Sequence, residues 1–185
     1  MTDYADRLAT PYRDARATLA ALVDGLEHAA FNHKPSAKAW SAGECVVHLN
    51  KMAKAYLPVL EAAAARNEPR GAAPFRYGWV GRKFVDAVRP GSRPVPTMGS
   101  MKPPAAGGRQ SSVDADRAVA RFDADVDRYL AVVEAADGLD LARVKVRSPF
   151  MPLLRLPLGV FLEAMGVHSV RHVLQAERAA ADWRG

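Results

Sequence analysis

The sequence predicts an all-α protein, namely a four-helix bundle with a long crossover between the second and third helices. Four segments of the 185-residue chain repeat apolar residues every three or four positions, the spacing of helices that bury one face. Residues 67–111 separate the second segment from the third, and the seven prolines and seven glycines there exclude long regular structure. Four narrow apolar seams are buried most simply against one another. We therefore expect residues 1–185 to form a single domain.

The first two helices have recognisable starts. Pro11 after Thr10 is a favourable first-turn proline behind an N-cap, and the apolar seam that follows extends to Ala30. The second helix opens with SAGE, in which Ser41 and Glu44 have the spacing of a capping box. Inside the crossover, we expect one short helix around YGWVGRKFVDAV.

The third helix is predicted from Ser112 to Ala136, before the stop DGLD, and the fourth helix from about Pro157. Residues 141–154, LARVKVRSPFMPLL, are assigned to a loop between them, although RVKVR alternates as a short strand does. The apolar stretch SPFMPLLRLPLGVF and the terminal AADWRG indicate further buried surface, such as a contact in a homodimer.

Two histidines of the fourth helix, His168 and His172, fall on its apolar seam between Met165 and Gln175. Their four-residue spacing places them one turn apart, with Cβ atoms about 5–6 Å from each other, which is close enough to share a metal ion. Three polar residues in succession on a core seam need partners, because a buried imidazole costs free energy unless its nitrogens are satisfied. A metal ion or hydrogen bonds within the core would each satisfy them.

His48 is the candidate for a third ligand. It follows Cys45 by three positions and precedes Met52 by four, so it shares the inward side of the second helix. It lies about 10 Å from the start of that helix, and His172 lies about 15 Å from the end of the fourth helix. If these two helices are antiparallel, the three imidazoles reach similar heights. The two remaining histidines, His28 at the end of the first helix and His33 in the polar link after it, are expected to be exposed.

Composition limits the classes of partner. The formal charge of +6 arises within residues 67–110, where eight basic residues oppose two acidic ones, whereas 18 of each balance elsewhere. Nucleic-acid-binding domains more usually present a basic helix or stripe, so we expect no nucleic-acid partner. The excess is instead solvated loop charge or an anion-attracting rim beside a pocket. No segment has the roughly 18–20 continuous apolar residues of a membrane span, so we expect no membrane partner.

The cysteine content and the first residues predict a cytoplasmic protein. Cys45 is the single cysteine, which excludes an intramolecular disulfide, and its apolar neighbours indicate a small core residue rather than a reactive thiol. The opening MTDYADRLATPYRD carries acids where a secretory signal needs an apolar run. No Gly-rich phosphate loop, CxxC pair or G-x-S-x-G motif occurs, which argues against nucleotide chemistry and serine hydrolysis.

The pattern AWSAGECVVHL, followed far downstream by HSVRHVLQAER, resembles the DinB/YfiT-like superfamily of small bacterial proteins. Members place one histidine after a Trp-Ser helix start and two more in an H-x-x-x-H-x-x-Q motif. The resemblance covers nearly the whole chain and implies the same four-helix bundle with a long crossover. It also implies a divalent metal, zinc or nickel, held by His48, His168 and His172. Some relatives are thiol-dependent transferases or isomerases that use bacillithiol, mycothiol or glutathione.

Such a site has a recognisable chemistry. Three neutral imidazoles leave the metal its full positive charge and an open position, as in catalytic zinc sites, so the ion can activate a bound water or hold a thiol as thiolate. Glu44, one turn from His48, is a candidate orienting group or general base; the alternative is that it only completes the capping box. Gln175 is a candidate hydrogen-bond partner of a ligand or substrate; the alternative is a bridge between helices. Trp40 is expected to fix the entrance to the second helix, and Arg171, which lies off the apolar seam, is expected at the surface.

These observations support two functional interpretations. In the first, the chain is a divalent-metal-dependent enzyme, a thiol S-transferase or hydrolase that acts on a small electrophilic molecule with a low-molecular-weight thiol such as mycothiol. The arginines of the crossover would favour a carboxylate-bearing thiol or substrate. In the second, the bundle binds a metal or a small ligand in a stress response and catalyses nothing.

Overall fold

The structure, a computed structural model, describes residues 1–66, 75–93, 97, 99–103 and 108–184. The described chain is mostly helical, as the sequence predicts, with one small two-stranded sheet in addition. The elements in chain order are α1 (Asp3–Val23), α2 (His28–Asn32), α3 (Ala42–Ala64), α4 (Trp79–Val88), a 3₁₀ turn (Gly99–Met101), α5 (Ala115–Ala135), β1 (Lys145–Arg147), β2 (Arg155–Pro157) and α6 (Leu158–Ala181).

Four long helices pack side by side around one apolar core, in the cyclic order α1, α6, α3, α5. Two contacts fix the relative direction of α3 and α5. The Asn50 side-chain amide donates to the Ala118 carbonyl near the helix starts, and Arg128 pairs with Glu61 near the helix ends. Since the early part of α3 contacts the early part of α5 and the late parts contact each other, the two helices are parallel. The long crossover between them permits this direction.

The helices α3 and α6 are antiparallel. His48, near the start of α3, faces His168 near the middle of α6, whereas Tyr56, further along α3, faces Phe161 near the start of α6. The sequence argument required these two helices to be antiparallel for the three histidines to reach similar heights, and this direction is confirmed.

The start of α1 differs from the prediction. The helix begins at Asp3, eight residues before Pro11, because the Thr2 hydroxyl accepts a hydrogen bond from the Ala5 amide at 3.3 Å and caps the first turn. Pro11 lies inside the helix, packed against α6. A Cβ placed on Gly166 would come within 3.2 Å of the Pro11 Cβ.

The end of α1 also differs from the prediction. The helix stops at Val23 rather than at Ala30, and Gly25, with φ of +70°, takes the left-handed conformation that glycine adopts most readily. The remaining part of the predicted seam forms the separate short helix α2. The apolar residues continue to recur every three or four positions across Gly25, so the sequence pattern alone does not reveal that α1 ends there.

The loop assignment for residues 141–154 is corrected in part, because its alternating residues form β1 and pair with β2. The two strands are antiparallel, with Val146 opposite Leu156 and Arg147 opposite Arg155. Val146 and Leu156 face the core, whereas both arginines are exposed. Burial of one face is what holds so short a hairpin in place.

The short helix expected within the crossover is confirmed as α4. It lies along the outer side of α6 and approaches it closely at Gly81, where an added Cβ would stand 2.7 Å from the Val160 Cγ2 atom. One turn later, the Phe84 and Phe161 rings meet edge to face at 5.5 Å. Among the described residues, no helix is long and apolar enough to cross a membrane.

Candidate metal centre

Three imidazoles meet between α3 and α6. One nitrogen each from His48, His168 and His172 lies within 4.8 Å of the others. The Nε2 atoms of His48 and His168 are 3.1 Å apart, and the His172 ring centroid is 4.5 and 4.4 Å from the other two ring centroids. Within the described part of the chain, this is the one group of three metal-ligating side chains so arranged.

Burial favours the neutral form of all three imidazoles. His48 and His172 are buried, and His168 is partly so. Desolvation lowers the pKa of His168 to about 3, with the neighbouring His48 and Arg171 charges acting in the same direction. Desolvation likewise lowers the pKa of His48 and, much further, that of His172. Each ring therefore presents a lone pair at neutral pH, which is the form that ligates a metal.

The crossover orients His48. Its Nδ1 lies 2.8 Å from the Met101 carbonyl oxygen, and since a carbonyl can only accept, Nδ1 carries the proton and Nε2 carries the lone pair that faces His168. Next along the chain, the Lys51 ammonium donates to the Lys102 carbonyl and holds the same crossover segment on α3. A backbone carbonyl that accepts the proton on the outward nitrogen in this way fixes the tautomer of a metal-ligating histidine.

The Nδ1 atoms of His168 and His172 are held less firmly than that of His48. Both Nδ1 atoms are buried without a well-formed hydrogen bond among the described residues. Each ring nevertheless has an oxygen-bearing group beside it. The Val88 carbonyl raises the pKa of His168, and the Gln175 side chain raises the pKa of His172, although burial outweighs both effects. The arrangement around His48 is thus repeated more loosely at the other two histidines.

A divalent metal fits these residues. A tetrahedral ion with nitrogen ligands at about 2.0–2.1 Å separates any two of them by about 3.3 Å, close to the 3.1 Å between His48 Nε2 and His168 Nε2. Without an ion, the two Nε2 atoms can share a hydrogen bond only if His168 carries its proton on Nε2, because the Met101 carbonyl holds the His48 proton on Nδ1. No carboxylate belongs to the group, so an ion there would keep its full charge.

Two further residues shape the cluster, and sequence reasoning missed their roles. The Trp40 ring, expected only to fix the entrance to the helix, lies 5.0 Å from the His48 ring and 5.7 Å from the His172 ring. Arg171, expected at the surface, donates to the carbonyl of Arg89 at 3.2 Å and to the Ser92 hydroxyl, and so binds the end of α4. The position of Arg171 directly before His172 is the signal in the sequence that could have indicated this role.

Glu44 lies outside the cluster. Its Oε2 accepts a hydrogen bond from the Ser41 amide at 3.0 Å, and the Ser41 hydroxyl accepts one from the Glu44 amide, so the predicted capping box is confirmed. Its Oε1 is 3.5 Å from the Lys34 ammonium, and both side chains are buried. This geometry leaves neither oxygen free to take a proton from a ligand at the histidines, which favours the capping alternative over a general base.

The remaining sequence candidates are readily placed. Cys45 is buried in the core, and burial raises the pKa of its thiol far above the usual range, as expected for an unreactive residue. His28 is exposed, as predicted. The exposure predicted for His33 is wrong, because its ring is largely covered, pairs with Asp182 at 3.0 Å and packs on Trp183.

Comparison with known protein families identifies the chain. The family model described as the DinB superfamily matches residues 12–176, which include all three histidines and most of each of the four long helices. The chain belongs to the DinB superfamily. The resemblance seen in the two sequence motifs is thereby confirmed for this DinB protein. Comparison with curated proteins and with solved structures gives no match.

Proposed function

We propose that this DinB protein is a four-helix bundle that binds one divalent ion, zinc or nickel, through His48, His168 and His172. The observation that carries the proposal is the convergence of three buried neutral imidazoles within 4.8 Å of one another. Three neutral histidines with no carboxylate are the donor set of a catalytic zinc-like site.

The reaction that fits this site best is attack of a thiol, or of water, on a small electrophilic molecule. When bound, the ion would supply Lewis acidity and would stabilise a thiolate or hydroxide. The chain's own residues would do the rest. Met101 holds the His48 tautomer, Trp40 shields two of the rings from water, and Gln175 positions His172. A low-molecular-weight thiol such as mycothiol is the cofactor we expect.

A second candidate function is binding without turnover. The cavity that His168, Met52 and Asp125 line has a volume of about 10 Å³, which accommodates about one water molecule. Together with the engagement of Glu44 in the capping box, the small space beside His168 favours retention of a metal or a small ligand over turnover. The two candidates share the metal centre and differ in whether anything reacts there.

Metal content tests the shared part. Elemental mass spectrometry on protein purified without an affinity tag should find about one divalent ion per chain in the wild type and none in His168→Ala. His28→Ala removes an exposed histidine outside the cluster and should retain the metal. Failure of the wild type to bind added zinc or nickel would overturn the proposal.

Thiol consumption separates the two functions. Mycothiol or glutathione is mixed with a model electrophile, and loss of free thiol is followed with metal-loaded wild type, His48→Ala and His28→Ala. Saturable consumption that only His48→Ala abolishes supports the enzyme. A metal-loaded protein that consumes neither thiol, and hydrolyses no ester probe, supports binding without turnover.

A further inference from the structure

Large apolar side chains are exposed on two elements that pack on α6, namely α4 and the loop of the β1–β2 hairpin. Trp79 and Val80, in the first turn of α4, are 73% and 53% exposed, and Met151 and Leu153, in the hairpin loop, are 41% and 101% exposed. Among the described residues, Met1 is the one other large apolar side chain exposed to this degree. Scattered apolar exposure is common, but four such residues on two elements that pack on the same helix call for a partner.

A chain of aromatic contacts through α6 and α3 links both elements to the region around the start of α6. Phe84 of α4 meets Phe161, Phe161 meets Tyr56, and Tyr56 meets Phe150 of the hairpin loop, with ring centroids 5.5, 5.5 and 5.6 Å apart in turn. The Tyr56 hydroxyl also lies 3.2 Å from the Ser148 hydroxyl at the end of β1. The exposed apolar residues are therefore presented by packed elements, not by free chain.

Cations surround these apolar residues. Five basic side chains on these elements or in the segment just before α4 are exposed and have no hydrogen bond or ion pair among the described residues: Arg76, Arg82, Lys83, Arg147 and Arg155. The acids nearby are engaged, since Asp86 pairs with Arg89, and Glu163 accepts from Tyr77 and pairs with Arg89. We name these five cations and the four apolar residues Trp79, Val80, Met151 and Leu153 the apolar-basic surface.

We propose that the apolar-basic surface binds the anionic face of a lipid membrane. Charge complementarity selects this occupant, because five unpaired cations attract anionic headgroups while apolar tips enter the interface between headgroups and acyl chains. A second copy of the chain would bring five like charges against five others. Nucleic acid would leave the alkyl side chains of Val80 and Leu153 without a role.

This inference is independent of the metal and of its chemistry. It also departs from the expectation of no membrane partner, which the sequence supported only by the lack of a spanning segment. Adsorption at a surface requires no spanning helix.

Vesicle sedimentation tests the proposal on the full chain. The wild type should sediment with vesicles of phosphatidylcholine containing phosphatidylglycerol, far less with phosphatidylcholine alone, and should be released by added salt. Each cation near an anionic surface strengthens binding about fivefold, so the double variant Arg147→Gln/Arg155→Gln should bind about thirtyfold more weakly. Leu153→Asp places a charge on a fully exposed site and should weaken binding without altering the melting temperature.

The matched control is Lys38→Gln/Arg117→Gln, which removes two exposed cations at the opposite end of the helices. Retained vesicle binding in this variant supports the localised surface. Equal loss in both double variants would overturn it, as would no sedimentation with anionic vesicles at low salt. Dimerisation in analytical ultracentrifugation that Leu153→Asp abolishes, without vesicle binding, would assign the surface to a second copy instead.

Discussion

Acid should destabilise the metal-free protein through the buried histidines, and His168 allows the size of this effect to be calculated. An unfolded histidine has a pKa near 6.5, whereas burial lowers the pKa of His168 in the folded protein to about 3. Between these values the unfolded chain binds one more proton than the folded chain, so stability falls as the pH falls. At about pH 4.5 the loss is about 1.4 kcal/mol for each of about two pH units, or about 3 kcal/mol.

The assay is urea unfolding with chelator present, at about pH 7 and pH 4.5, for the wild type and His168→Gln. Other groups also titrate in this range; burial raises the pKa of Asp125, for example, which changes stability in the opposite direction. The informative quantity is therefore the difference between the two proteins. The wild type should lose about 3 kcal/mol more than the variant. His28→Gln should behave as the wild type, and equal losses in the wild type and His168→Gln would refute the reasoning.

Three other outcomes are expected. Lys34→Met should lower the free energy of unfolding by about 3 kcal/mol in urea titrations, because Glu44 stays buried without its cation; an unchanged midpoint would contradict this. Tyr12→Phe should cost about 1–2 kcal/mol by the same measurement, since the buried hydroxyl donates to the Leu162 carbonyl at 2.6 Å. Zinc at about a thousand times its dissociation constant should stabilise the wild type by about 4 kcal/mol and should leave His48→Ala unchanged.

The sequence predicted those parts of the site that depend on helical periodicity. His48, His168 and His172 fall on inward seams, and counting residues from helix ends brought them to one height once α3 and α6 were taken as antiparallel. Capping by Ser41 and Glu44 was also predictable, because the spacing that makes a capping box lies within one turn. Periodicity and caps are local properties, and a sequence displays them directly.

Contacts between distant segments could not be predicted in the same way. Met101 belongs to a crossover without periodicity, and nothing in the pattern places its carbonyl on His48, 53 residues earlier. Strands of three residues, such as β1, are too short for alternation to be distinguished from chance. Arg171 was assigned to the surface because its angle on α6 is off the apolar seam, and α4, which covers that side, could not be positioned from sequence.

The histidine cluster joins His48 to His168 and His172, and the first two of these are 120 residues apart. The helices that carry them, α3 and α6, are separated along the chain by the long crossover and by α5. No fragment that lacks either α3 or α6 contains all three imidazoles. Metal uptake would therefore report that the chain has completed folding, since an ion bound by all three nitrogens requires the pairing of the second and last long helices. A newly made chain would acquire the ion after α6 has left the ribosome, and loss of the ion would loosen the first and last thirds of the sequence together.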